Sequence, residues 1–156
     1  LGAMQTCIVP ILSYNYATMK IDRCKKTLSL ALIYGVSLMM LGVLCFELIP
    51  GQMLHVFSHD AEVIRIGKVA FRIIAASFIP LVTSLTFPVF FQAVGKAFTS
   101  SVLTVVRTVF LFVPLGYAFS RIGLNFFWLT FPVTDSITSI AGFLLYRRFL
   151  RFTKSS

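Results

Sequence analysis

The chain has 156 residues, of which 58% are hydrophobic and only 12% charged, with a mean hydropathy of +0.91. Soluble domains carry about 25% charged residues, so this composition excludes an ordinary soluble domain and implies a membrane protein. The net charge of +9 would point to nucleic acid in a soluble protein. Here most basic residues sit in short connections between apolar runs, so the charge is read as membrane topology and no nucleic-acid partner is expected.

The chain starts with Leu1 inside an apolar run, with no basic segment or cleavage site ahead of it. It is therefore expected to be a fragment whose N-terminal part is missing, without a signal peptide. Cys7, Cys24 and Cys45 show no ligand spacing. Cys7 and Cys45 read as small hydrophobes in apolar runs, and Cys24 as a reduced thiol in a basic loop.

Residues 1–19 are uncharged and just long enough to cross a bilayer, as a partial first span. This run holds Pro10 and ends in Ser13-Tyr14-Asn15-Tyr16, whose Tyr14 and Asn15 are candidates to line a cavity; tyrosines are also common at the interface. After the basic loop 20–26, residues 27–49 form a second span ended by Glu47, Pro50 and Gly51. Gly35 and Gly42 within it read as points of close helix packing. Asp60 is expected to cap the next helix, with Glu62 in its first turn. His55 and His59 are four apart but lack a third ligand, so no metal site is expected.

The third span, 62–95, is uncharged from Ile73 onward and contains Pro80 and Pro88, which predict kinks. Ser77, Ser84 and Gln92 fall within about 80° of arc at 100° per residue. They either line a cavity or bond neighbouring helices. Lys96 marks a turn. The fourth span, 97–120, has Arg107 as its one charge, and Ser100, Thr104, Arg107 and Thr108 recur as one helix face. A polar stripe in an apolar span must face protein or water, because lipid cannot satisfy it. The fifth span, 123–146, carries Trp128 and a single acid, Asp135. Arg147, Arg148, Arg151 and Lys154 close the chain.

The expected fold is thus all-α: a polytopic transmembrane bundle of four complete spans plus a partial N-terminal one. By alternation, Lys20, Arg23, Lys25, Lys26, Lys96, Arg147, Arg148, Arg151 and Lys154 lie on one side. The positive-inside rule makes that side, and the C-terminus, cytoplasmic. Arg107 lies about 15 Å into its span and Asp135 about 16 Å from the cytoplasmic end of the next, at 1.5 Å per residue. The two spans are consecutive and antiparallel, so these charges are expected to meet. Either they form a permanent ion pair that fixes packing, or the pair opens and Asp135 carries a coupling proton.

Pro10-x-x-x-Tyr14-Asn15-Tyr16 followed by Lys20 and Arg23 resembles the end of the eighth helix of multidrug and toxic compound extrusion (MATE) transporters. Phe57-Ser58-x-Asp60-x-Glu62-Val63, Phe91-Gln92-Ala93-x-Gly95, Arg107, and Trp128 with Pro132-x-x-Asp135 resemble that family's later landmarks in order. The resemblance implies residues 1–156 as a partial C-terminal lobe, helices eight to twelve of a two-lobed, twelve-helix antiporter. The family usually has Gly where Ser13 and Ala17 stand, and some members have an acid in the helix equivalent to 73–95, which this run lacks. The resemblance implies export of cationic or amphipathic compounds in exchange for Na⁺ or H⁺, by rocking of two lobes, with no cofactor. The implied partners are the missing N-terminal lobe, the lipid bilayer and small organic substrates; the implied location is a bacterial plasma membrane. Three other functions would make different demands on the sequence. A lipid-linked saccharide flippase of the same superfamily would carry more cavity cations than Arg107. A non-transporting structural subunit would need no polar stripes. An embedded enzyme would need a nucleophile–base pair or metal cluster, which the spans do not contain.

Overall fold

A helix that crosses lipid must satisfy every backbone group internally, and this chain does so with helices throughout. The computed structural model describes residues 2–56 and 60–154. In order these form α1 (Gly2–Ala17), α2 (Ile21–Leu48), α3 (Pro50–His55), α4 (Ala61–Ala75), α5 (Phe78–Ala93) and α6 (Ala97–Val105). A π-helical segment over Val106–Phe112 follows, then α7 (Val113–Ile122), α8 (Leu124–Phe127) and α9 (Thr130–Lys154). Among the described residues, three stretches are long and apolar enough to cross a membrane: Ile21–Leu48, Ala97–Ile122 and Leu124–Thr153. Two boundaries differ from expectation. The basic stretch Asp22–Lys26 is the first turns of α2 rather than a loop, and the tail after Tyr146 continues α9 to Lys154. In both places the long aliphatic stems of Lys and Arg carry the helix beyond the apolar core while their heads reach water.

The expected span 62–95 is not one helix but a pair, α4 and α5, bent by 51°. The break at Ala76–Ser77 lies one turn ahead of Pro80, whose ring and missing N–H deprive the Ala76 carbonyl of its helical partner. The Ser77 hydroxyl folds back onto the Ile74 carbonyl at 2.6 Å. Pro88 sits inside a continuing α5. In the fourth span the π-helical segment lies directly ahead of Pro114, where a missing donor permits the wider turn. This breaks the expected face: Ser100 and Thr104 lie on α6, whereas Arg107 and Thr108 lie in the wider turn.

Asp60 caps α4, its Oδ1 accepting from the Glu62 and Val63 amides at 2.8 and 3.4 Å. Both turns at the basic end close the same way. Lys20 N–H donates to the Asn15 carbonyl and Lys96 N–H to the Phe91 carbonyl, each at 2.8 Å. This six-to-one closure needs a left-handed residue after the helix. Gly95 supplies it at φ +77°; after α1 the position is filled by Met19 at φ 55°. The turn is therefore tight without the family's glycines.

Helix α5 is the hub, packed on α9, α2, α6 and α1. Phe90 meets Tyr146 and Phe149 of α9 edge-on, with ring centroids 5.1 and 5.6 Å apart. In lipid such van der Waals fit drives association, because lipid tails are as apolar as the core. Small residues let the helices close. A Cβ on Gly142 would lie 2.7 Å from the Phe87 ring, and one on Gly42 2.9 Å from Phe78. Cys24 is not in a loop but buried in this core, its thiol near the Leu12 carbonyl.

Candidate functional site

One charged cluster is buried between three spans. Asp135 projects from the second turn of α9 and is 2% exposed. Its Oδ1 accepts from Arg107 Nε of the π-helical segment and from Ser84 Oγ of α5, each at 2.9 Å. The Arg107 side chain is 24% exposed and that of Asp135 2%. Asp135 is therefore buried, while about a quarter of the Arg107 side chain stays exposed. The π turn and the neighbouring proline kinks set its place: wider turns bring a side chain out of the α register, and such turns often mark functional positions.

Around this cluster α9 presents a buried polar face. Thr130, Thr134 and Thr138 recur every fourth residue and are all buried. The Thr138 hydroxyl donates to the Thr134 carbonyl at 2.9 Å, and the hydroxyls of Thr83 and Ser139 share a hydrogen bond between α5 and α9. The buried Thr130 and Thr134 hydroxyls and Trp128 Nε1 have no partner among the described residues. Buried polar atoms of this kind call for water or another polar guest. The threonine repeat is legible in the sequence as hydroxyls four residues apart, but by charge alone only Asp135 stands out in this span.

The other candidate residues are not brought together. Ser77 is buried at the α4–α5 break and Ser84 at the Asp135 cluster, whereas Gln92 is exposed near the end of α5. Ser77 is the N-cap of α5, its carbonyl accepting from the Leu81 amide at 2.7 Å, so all three share the register of that helix and differ in burial. Tyr14 is 64% exposed, with Lys20 Nζ 6.0 Å from its ring. Asn15 is buried, and its amide donates to the Ile11 carbonyl of its own helix at 2.8 Å. The neighbouring Tyr16 lies 6.0 Å from Phe149. Phe149 is fourteen residues beyond Asp135, about 21 Å of helix rise. Tyr14 and Asn15 thus belong to the basic end and not to the cluster. His55 is exposed on α3. His59 and the Phe57-Ser58 part of the resemblance lie outside the described residues.

A bundle of apolar helices with a charged cluster inside defines a polytopic membrane protein with a polar interior. The family model described as MatE matches residues 1–118, and the chain belongs to the MatE family. Among solved structures it is similar to the Vibrio cholerae MATE transporter VcmN in its bent form, with a TM-score of 0.87 at 17% identity. That match covers 97% of this chain and 35% of the other. It is also similar to an outward-facing form of a multidrug resistance MATE family transporter of the MOP superfamily (TM-score 0.90, 19% identity, 97% of this chain, 35% of that one). The inward-facing form of such a transporter matches equally well (TM-score 0.90, 18% identity, 100% of this chain, 37% of that one). At these identities the likeness shows the fold. The chain spans about a third of the length of the transporters it matches. A comparison with curated proteins gave no match.

Proposed function

We propose that the chain is the partial C-terminal lobe of a secondary antiporter that exports cationic or amphipathic compounds in exchange for Na⁺ or H⁺. The observation that carries this reading is the Ser84–Asp135–Arg107 cluster, one acid held by two donors from two other spans in an otherwise apolar bundle. Such an acid is costly in lipid and has a use where a polar species must pass. Support also comes from the equal likeness to outward-facing and inward-facing forms. A unit that fits both is one that moves as a body, as rocking of two lobes requires. Ser77, Ser84 and Gln92 remain the proposed cavity residues, and Arg107 with Asp135 the proposed packing or coupling pair. The basic end faces the cytoplasm of a bacterial cell, and the chain works with an N-terminal lobe rather than alone. Arg107 is neutralised by Asp135, which favours export of cations over the flippase reading.

The test is transport of a cationic dye by the full-length protein in proteoliposomes under an imposed Na⁺ or proton gradient. Dye movement that follows one gradient and stops when it is dissipated is the expected result. Dye movement indifferent to both gradients would remove the antiport reading.

A further inference from the structure

The last turns of α9 carry three arginines on the same face as three of its exposed apolar residues. Ile137, Ile140 and Leu144 are exposed. At 100° per residue they share about 100° of arc with Arg147, Arg148 and Arg151. Helix α9 has 25 residues, about 37 Å at 1.5 Å per residue, against a hydrocarbon core of about 30 Å. The apolar stripe Ile137–Leu144 thus covers about 10 Å of rise in the half of the span that ends in cations at headgroup depth.

Three adjoining grooves open around those cations. One of about 600 Å³ is lined by Leu144, Arg147, Arg148, Arg151 and Phe152. A second, of about 250 Å³, sets Lys96 of the α5–α6 turn opposite Arg148. A third, of about 390 Å³, lies between Lys25 and Arg151. Among the described residues no acid pairs with Lys96, Arg147, Arg148 or Arg151. Lys96, Arg147 and Arg148 instead rest over aromatic rings at 5.5, 5.7 and 5.7 Å. The one acid at this end, Asp22, holds Lys25 at 2.8 Å. Guanidinium forks match phosphate oxygens, and basic pockets at the ends of membrane helices bind anionic headgroups.

We propose that this end of α9 is a binding site for an anionic phospholipid. Its phosphate is held by Arg147, Arg148 and Arg151 with Lys96, and an acyl chain lies along Ile137, Ile140 and Leu144. Charge complementarity selects this occupant: among the described residues no acid neutralises these cations, and the stripe leading to them suits a hydrocarbon chain.

Two measurements on the full-length protein test it. A benzoylphenylalanine placed at Phe152, which is 64% exposed, is irradiated in native membranes. Adducts with phosphatidylglycerol or cardiolipin should exceed their share of the membrane about fivefold or more, the factor that one basic residue contributes at a membrane surface. Adducts in proportion to membrane composition, or with a polypeptide, overturn the proposal. In detergent, phosphatidylglycerol should raise the unfolding temperature, and phosphatidylcholine or millimolar inorganic phosphate should not. The rise should vanish in Arg147→Gln/Arg148→Gln/Arg151→Gln and persist in Lys68→Gln at the other end. Equal protection by free phosphate, or a rise kept by the triple variant, also overturns it.

Discussion

Arg107 Nε lies 2.9 Å from Asp135 Oδ1, joining the π-helical segment to α9 across 28 residues of chain. Two buried charges in contact stabilise each other far more than either is stabilised alone, and removing one partner strands the other. Asp135→Asn and Arg107→Gln should each cost about 3–5 kcal/mol of stability, and the double variant less than their sum. Thermal unfolding of the four proteins in detergent measures the coupling. Simple additivity would dissolve the pair as an energetic unit.

Ser84 and Gln92 lie on one helix yet should behave oppositely. Ser84 donates to a buried carboxylate at 2.9 Å, and a hydrogen bond to a charged group is worth about 1.5–3 kcal/mol. Ser84→Ala should therefore lower stability by about that amount. Gln92 is exposed and has no such bond, so Gln92→Ala should change stability by less than about 0.5 kcal/mol. On the proposed function it should still alter dye transport at constant abundance. If abundance falls in step with transport for Gln92→Ala, its cavity role is lost.

The sequence carried the helices, their order and the meeting of Arg107 with Asp135, because hydropathy, charge and span length act locally or through simple alternation. It did not carry the third donor. In the sequence Ser84 is one of three hydroxyl or amide residues on one helical arc, with nothing to pair it with Asp135. Pro80 marked a kink, but whether the helix would bend or break there depends on Ser77 capturing the Ile74 carbonyl. Likewise, Pro114 gave notice of disturbance, but not that the turns ahead of it would widen and take Arg107 out of the α register.

Met19 occupies a left-handed position at φ 55° and is 75% exposed. An L-residue there costs roughly 1–2 kcal/mol, and glycine avoids the clash while giving back part of the gain as chain entropy. Met19→Gly should therefore stabilise the protein by about 0.5–1 kcal/mol, read as a higher unfolding temperature. A lower one would mean that the side chain packs in the full-length protein.

Gly142 brings α9 close against α5, with a Cβ there 2.7 Å from Phe87 Cδ2 and 2.8 Å from its Cβ. The second contact is at the root of the side chain, so rotation of the ring cannot relieve it. Gly142→Ala should destabilise by about 1–3 kcal/mol despite alanine's better helix propensity. An unchanged unfolding temperature would show that the two helices separate freely.

Orientation needs a reporter on each end, and the native Cys24 cannot serve, because it is buried in the core. A labelling failure there would reflect packing rather than sidedness. Lys26 and Gln52 are exposed near opposite ends of α2 and α3. With Cys7, Cys24 and Cys45 replaced by serine, Gln52→Cys should react with an impermeant maleimide on intact cells, and Lys26→Cys only after permeabilisation. The basis is the concentration of basic residues at the Lys26 end, which biases that end to the cytoplasm during insertion. Arg65, Lys68 and Arg72 on α4 oppose this bias from the other end. Two of these three are already held by acids, Arg65 by Glu62 at 3.1 Å and Arg72 by Glu47 at 3.5 Å. The basic excess at the Lys26 end is not offset in this way, since Asp22 is its single acid. Reaction of Lys26→Cys on intact cells would reverse the assignment and move the proposed lipid site to the outer leaflet.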